Sequence, residues 1–203
     1  LGDNFVQEGL AYRITPFNTK APGAKNFDTE KVYNNVMNRF KWGGLDKPGL
    51  YIDETVMRMC YTHRHLLAQL AMQLIAEGQN AKAEKVLRKA EKVLPEYNVP
   101  YTFMSGAADM ARAYALIGKK ADAARILNKV WADAKSYADY YLQLTGSRFM
   151  MSQNDVLRQL YIMQNIADIT QACDHSLADQ RLKTVNALYA VYQAKGGVPY
   201  DGE

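Results

Sequence analysis

From Asp53 onward the apolar positions recur every three or four residues, the spacing that puts them on one face of an α-helix. Val56, Cys60, His63, Leu67, Leu70 and Leu74 form one such stripe, and Gly78 with Asn80 breaks it. A second helix is predicted from about Ala81 to Leu94 before Pro95, and a third from about Tyr101 to Ile117, stopped by Gly118. The fourth starts near Ala121 and carries Ala123, Leu127, Val130, Ala134, Tyr137 and Tyr141 at the same spacing. Ser152 and Asp155 have the spacing of a capping pair before a fifth helix that ends near Cys173. Ala178, Leu182, Val185, Tyr189 and Tyr192 stripe a sixth, which Gly196 and Gly197 terminate. Six helices joined by short turns predict an all-α fold of antiparallel helical hairpins.

Residues 1–50 follow another pattern. Leu10 to Thr15 alternates apolar and polar as an extended segment does, and Pro16 ends it. The stretch 18–25, with Pro22 and Gly23, reads as loop, and Asp28 is placed to cap a short helix reaching about Phe40. Trp42 to Gly49 is too rich in glycine and proline for regular structure. Trp42, Leu45 and Leu50 are nonetheless too apolar to dangle in water, which predicts that this stretch packs onto the first long helix. The expected organisation is an irregular segment over 1–50 with one short helix, packed on a helical domain over 51–203 with hairpins at about 53–95, 101–144 and 153–194.

Self-comparison adds a repeat. With Gly78 at an inter-helix turn, Ala71 falls on the small position of the first helix, and Ala83, Leu87 and Ala90 on small, large and small positions of the second. A shift of about 40 residues places Gly118, Ala111, Tyr114, Ala123 and Leu127 equivalently. Closely crossing helices need a small side chain at the crossing and a large one beside it. That is the pattern of tetratricopeptide-like (TPR-like) hairpins stacked in a short solenoid. The period is longer than the usual one, Lys135 stands where the second unit would close on proline, and the last hairpin fits only as a degenerate cap.

A net charge of +4 from 25 basic and 21 acidic residues, interspersed, gives no call for nucleic acid. No run is apolar enough for a membrane span, and no signal-peptide pattern opens the chain; a start at Leu1 suggests a mature product or a fragment. Cys60 and Cys173 make no disulfide framework and are read as buried thiols, with pairing in an oxidising compartment as the alternative.

Catalytic and metal-binding sets are not found. On a helix Cys60 and His63 share a face that His65 does not, so the three cannot converge on a metal. Cys173 and His175 have no third orienting group for nucleophilic chemistry. Asp53 and Glu54 are explained by a helix start, and no glycine-rich phosphate loop follows a strand. The expectation is a non-enzyme without cofactor or metal, whose partner is a protein or peptide. In stacked hairpins the first helices line a groove, which makes His65, Met72 and Arg112 the candidate contact residues, set among Ala68, Ala108 and Ala115. Lys82, Lys85, Lys89 and Lys92 form a basic ridge on the second helix with Arg88 beside it. It is a solvated face or, alternatively, a contact for anionic headgroups or an acidic partner.

The run from Phe40 to Glu54 (FKWGGLDKPGLYIDE), with Glu8 to Arg13 (EGLAYR) and the helices that follow, resembles the soluble C-terminal region of a Bacteroidetes family of multi-span membrane proteins. The family's function is unassigned, and its membrane core is similar to protein O-mannosyltransferases. The resemblance covers nearly the whole chain. It implies a parent that is a lipid-linked-sugar-dependent glycosyltransferase of the inner membrane, with this region on the periplasmic side. The catalytic carboxylates of such enzymes lie in the membrane core, so none is carried onto this sequence. The alternatives are a free-standing cytoplasmic adaptor and, third, an enzyme with an unrecognised site.

Overall fold

The computed structural model describes residues 3–22 and 24–198; Leu1 and Gly23, named above, lie outside the described residues. Among the described residues the fold is all-α apart from one two-stranded ribbon, and the chain divides into two compact units, Leu1–Pro100 and Tyr101–Glu203.

The first unit opens with β1 (Phe5–Gln7) and β2 (Tyr12–Ile14), antiparallel with Gln7 opposite Tyr12 and Phe5 opposite Ile14. The alternation at 10–15 thus marks a strand, while its three-residue partner is too short to leave a pattern. Asp28 caps α1 (Thr29–Asn34) by accepting the Lys31 N–H, and one π-helical turn carries the chain on through Arg39. α2 (Glu54–Ala76) begins where the Asp53 carboxylate accepts the N–H groups of Thr55 and Val56. It packs antiparallel on α3 (Asn80–Val93), burying Leu67, Leu70, Ala71 and Leu74 against Ala83, Val86, Leu87 and Ala90. Val56 stays substantially exposed, so the α2 stripe enters the core only from Cys60 onward.

The stretch 42–49 is fastened by side chains. The Trp42 ring meets His63 of α2 edge-on at 5.6 Å, and the His63 Nδ1 lies 2.6 Å from the Met59 carbonyl. Asn98 donates to the carbonyls of Leu45 and Lys47, and the Tyr97 hydroxyl to that of Asp46. The loop carrying those donors is itself held by Arg64. Fully buried on α2, its guanidinium donates to the carbonyls of Leu94, Val99 and Pro100 at 3.0, 2.6 and 3.1 Å. Leu50 remains exposed, so it takes no part in this packing.

In the second unit, α4 (Ala107–Leu116) pairs with α5 (Lys120–Gln143), and α7 (Gln153–Gln171) with α8 (His175–Ala194); α7 also packs on α5 and touches α4. The expected helix from Tyr101 is broken: a short 3-10 turn at Phe103–Ser105 ends at Gly106, whose φ of +75° only glycine adopts freely, and α4 begins after it. A short helix, α6 (Gly146–Met151), was not predicted; Phe149 anchors it among Leu142, Val156, Leu160 and Tyr192. Ser152 therefore does not cap α7. It closes α6, and its hydroxyl donates back to the Arg148 carbonyl. Tyr137 is half exposed, so the α5 stripe leaves the core there and resumes at Ala138 and Leu142.

The two best-matched hairpins agree atom for atom at their turns. The Gly78 and Gly118 N–H groups bond to Ile75 and Ala115, and those of Gln79 and Lys119 to Leu74 and Tyr114, the double bond of a Schellman cap. Buried positions repeat at the same offset: Leu70 with Met110, Ala71 with Ala111, Ala83 with Ala123, Val86 with Ile126, Leu87 with Leu127. Gly78 and Gly118 have φ of +74° and +78°, and a Cβ on either meets nothing within 4 Å. Gly78→Ala and Gly118→Ala should therefore each cost about 1–2 kcal/mol, through backbone strain alone. The two losses should match when each variant's denaturation is followed by circular dichroism. Arg64→Met, which leaves three buried carbonyls without their donor, should cost about 3 kcal/mol. Thermolysin should then cut between residues 42 and 50 faster than in the wild type.

Candidate functional site

His65 and Met72 lie two turns apart on α2 in the first unit, His65 exposed and Met72 half-buried. In the second unit Arg112 projects from α4 into a cleft of about 200 Å³ between α4 and α7. Ala115 and Leu116 line its α4 side, and Asp168, Ile169 and Ala172 its α7 side. Of the alanines expected in the groove, Ala115 is on this surface, whereas Ala68 and Ala108 are buried in helix contacts. Asp168 escaped the sequence reading. Its carboxylate accepts a hydrogen bond from Gln164 at 3.1 Å and brings a negative charge to the cleft that Arg112 lines. The sequence pattern already makes the 153–194 stretch a third hairpin, but as a degenerate cap it was given no groove position, and so Asp168 on its first helix was passed over.

The basic ridge divides in two. Lys82 forms an ion pair with Glu30 at 2.7 Å and lies 5.2 Å from the centre of the Tyr33 ring, and Lys89 donates to the Met37 carbonyl at 2.9 Å. Both thus hold the segment around α1 onto α3. Lys85 and Lys92 are exposed, and Arg88 pairs loosely with Glu84 at 3.5 Å. The spacing of Lys82 and Lys89, two turns apart on one face, was legible in the sequence, but their partners are 52 residues upstream and were not.

Both thiols are free, and burial raises both above the usual range, against what nucleophilic attack requires. His175 is the exposed first residue of α8. Among the described residues no three His, Cys, Asp or Glu side chains gather to hold a metal, and no helix is long and apolar enough to cross a membrane. No family model matches the chain, and no curated protein or solved structure is significantly similar to it.

Acidic side chains fasten the N-terminal segment. Glu8 accepts from Lys31 and Arg13, Glu30 from Lys82, and Glu77 from Thr29 and Lys25; these hydrogen bonds hold all three carboxyls below their ordinary range. A carboxyl depressed on folding stabilises the fold above its ordinary pKa and loses that contribution as pH falls through the depressed value. Amide exchange in α1 should therefore quicken relative to α2 as pH is lowered below about 4.5, measured by mass spectrometry and corrected for intrinsic rates. Glu30→Gln with Glu77→Gln should flatten that difference.

Proposed function

We propose that this chain is a protein-binding module of the TPR-like type, reading a peptide segment of its partner through groove-facing side chains of its first helices. The observation that carries the reading is the repeated hairpin: two identical Schellman turns at Gly78 and Gly118, with the same small and large residues buried around each. Hairpins of this kind serve recognition because a rigid frame leaves one helix of each pair free to present side chains. The α4–α7 cleft supports it, since Arg112 and Asp168 offer both signs of charge beside apolar Leu116 and Ile169. A guanidinium there suits a peptide carbonyl or carboxylate, and Asp168 a backbone N–H or a lysine. Separately, on α2 of the first unit, Met72 offers a deformable apolar contact and His65 an imidazole. The likeness of the 40–54 run to periplasmic regions of membrane glycosyltransferase-like proteins supports a place beside such an enzyme, with this region positioning an acceptor polypeptide or a partner subunit and performing no transfer itself.

The test is a peptide-display selection against the wild-type chain. Selected peptides should lose about tenfold or more in affinity for His65→Ala/Met72→Ala/Arg112→Ala, the size of one or two well-placed contacts. The triple variant should keep the wild-type melting temperature. Peptides that bind both proteins equally would remove the groove from the account. The alternative surface would then be Lys85 and Lys92, which a Lys85→Glu/Lys92→Glu variant addresses.

A further inference from the structure

A second concave site lies on the first unit, remote in kind from the groove residues and independent of the reading above. The β1–β2 ribbon presents one face, carrying Phe5, Gln7 and Tyr12, across a cleft of about 500 Å³ to Gln69 and Gln73 of α2. Asn26 completes the rim, and the buried Phe27 ring lies beneath. Gln69 and Gln73 are one helical turn apart and so share a face. The volume is that of a small-molecule site.

The chemistry of the walls is unusual in what it combines. Four carboxamides converge, and the one formal charge, Lys20, is already paired with Asp3 at 2.6 Å. Gln7 is fixed at both ends of its amide, donating to the Gly9 carbonyl at 2.9 Å and accepting from Gln69 at 3.4 Å. Gln69 keeps its oxygen and one N–H for other use. The side-chain amides of Gln73 and Asn26 bond to nothing among the described residues. Beside them stands the Tyr12 ring, 60% exposed and in a T-shaped pair with Phe5 at 6.4 Å, which leaves aromatic surface open at the cleft.

Each candidate ligand class can be set against these walls. An anion would find no unpaired cation, and a cation no unpaired carboxylate. A purely apolar ligand would have to strip water from four amides without replacing their hydrogen bonds. A neutral polyol suits both halves. Each planar carboxamide gives a donor and an acceptor side by side, which matches a pair of neighbouring hydroxyls, and an exposed aromatic face packs against a ring of C–H bonds. We propose that this cleft binds a neutral saccharide, with Gln69, Gln73 and Asn26 holding its hydroxyls and Tyr12 stacking on its apolar face.

The experiment is a two-dimensional NMR titration of the ¹⁵N-labelled chain, watching the side-chain NH₂ signals of Gln69, Gln73 and Asn26. The probes are methyl glycosides of glucose, galactose and mannose, N-acetylglucosamine and its β-linked dimer, with glucuronate and a trialanine peptide as comparisons. At least one neutral saccharide should shift these signals with a Kd of about 0.1–10 mM, the range of a few hydrogen bonds made in water. Gln73→Ala and Tyr12→Ala should each weaken binding by about fivefold or more, while Gln143→Ala, on α5, leaves it unchanged. Unperturbed backbone spectra away from the cleft keep the variants interpretable. Three results would each overturn the proposal: no shift with any neutral sugar, shifts only with glucuronate or the peptide, or equal sugar binding by the wild type and both cleft variants.

Discussion

The first unit hangs on a buried cation. Arg64 has no exposed surface, and moving a guanidinium out of water is costly unless its donors are met. Here three backbone carbonyls at the end of the first hairpin accept from its two terminal nitrogens. Those carbonyls belong to a loop that Pro95 and Pro100 bar from helix, so the loop would otherwise have backbone acceptors to satisfy in irregular structure. The arginine turns that liability into a fixed geometry. Tyr97 and Asn98, carried on the same loop, then hold the carbonyls of residues 45–47, and so the glycine-rich stretch is ordered at second hand.

Arg181 solves the same problem differently in the second unit. Counted from Ala178, it stands where the better-matched hairpins bury Val86 and Ile126. Its guanidinium donates to Thr170 and Asn128 at 2.5 Å each and lies 5.0 Å from the Trp131 ring centre. Burial lowers its proton affinity, yet an arginine stays charged at any ordinary pH, so the cation is solvated by neutral dipoles and a π face. At this position α8 departs from the repeat: it is tied to α5 and α7 by hydrogen bonds where the corresponding helices bury an aliphatic side chain.

What could be read from the sequence was what repeats or is local. Helical spacing from Cys60 to Leu74, the alanines at the crossings and the glycines at the turns each follow from neighbours a few residues away, and all are found. Asp53 and Asp28 cap their helices for the same reason. The insertion of α6 was missed because it depends on a side chain finding a distant partner, Phe149 against Tyr192. The break at Gly106 is local, a glycine at positive φ after the Thr102–Ser105 turn, and its signal lay in the sequence unused. The site residues were harder still. The exposure of Arg112 on α4 follows from counting along a helix, whereas its cleft with Asp168, the anchoring roles of Lys82 and Lys89, and the carboxamide cleft arise from residues about 50 or more positions apart in sequence. Periodicity along the chain carries no record of such meetings.

The clasp between Asn98 and the 45–47 carbonyls has a consequence for the order in which the molecule is made. A ribosome delivers residues 45–47 before Tyr97 and Asn98, the side chains that hold their carbonyls, and the loop bearing those needs Arg64 already seated in the closed α2–α3 hairpin. The glycine-rich stretch must therefore wait, open and carrying an exposed tryptophan, while the next 50 residues emerge and pair. The stretch made before the α2–α3 hairpin is thus fixed only after it.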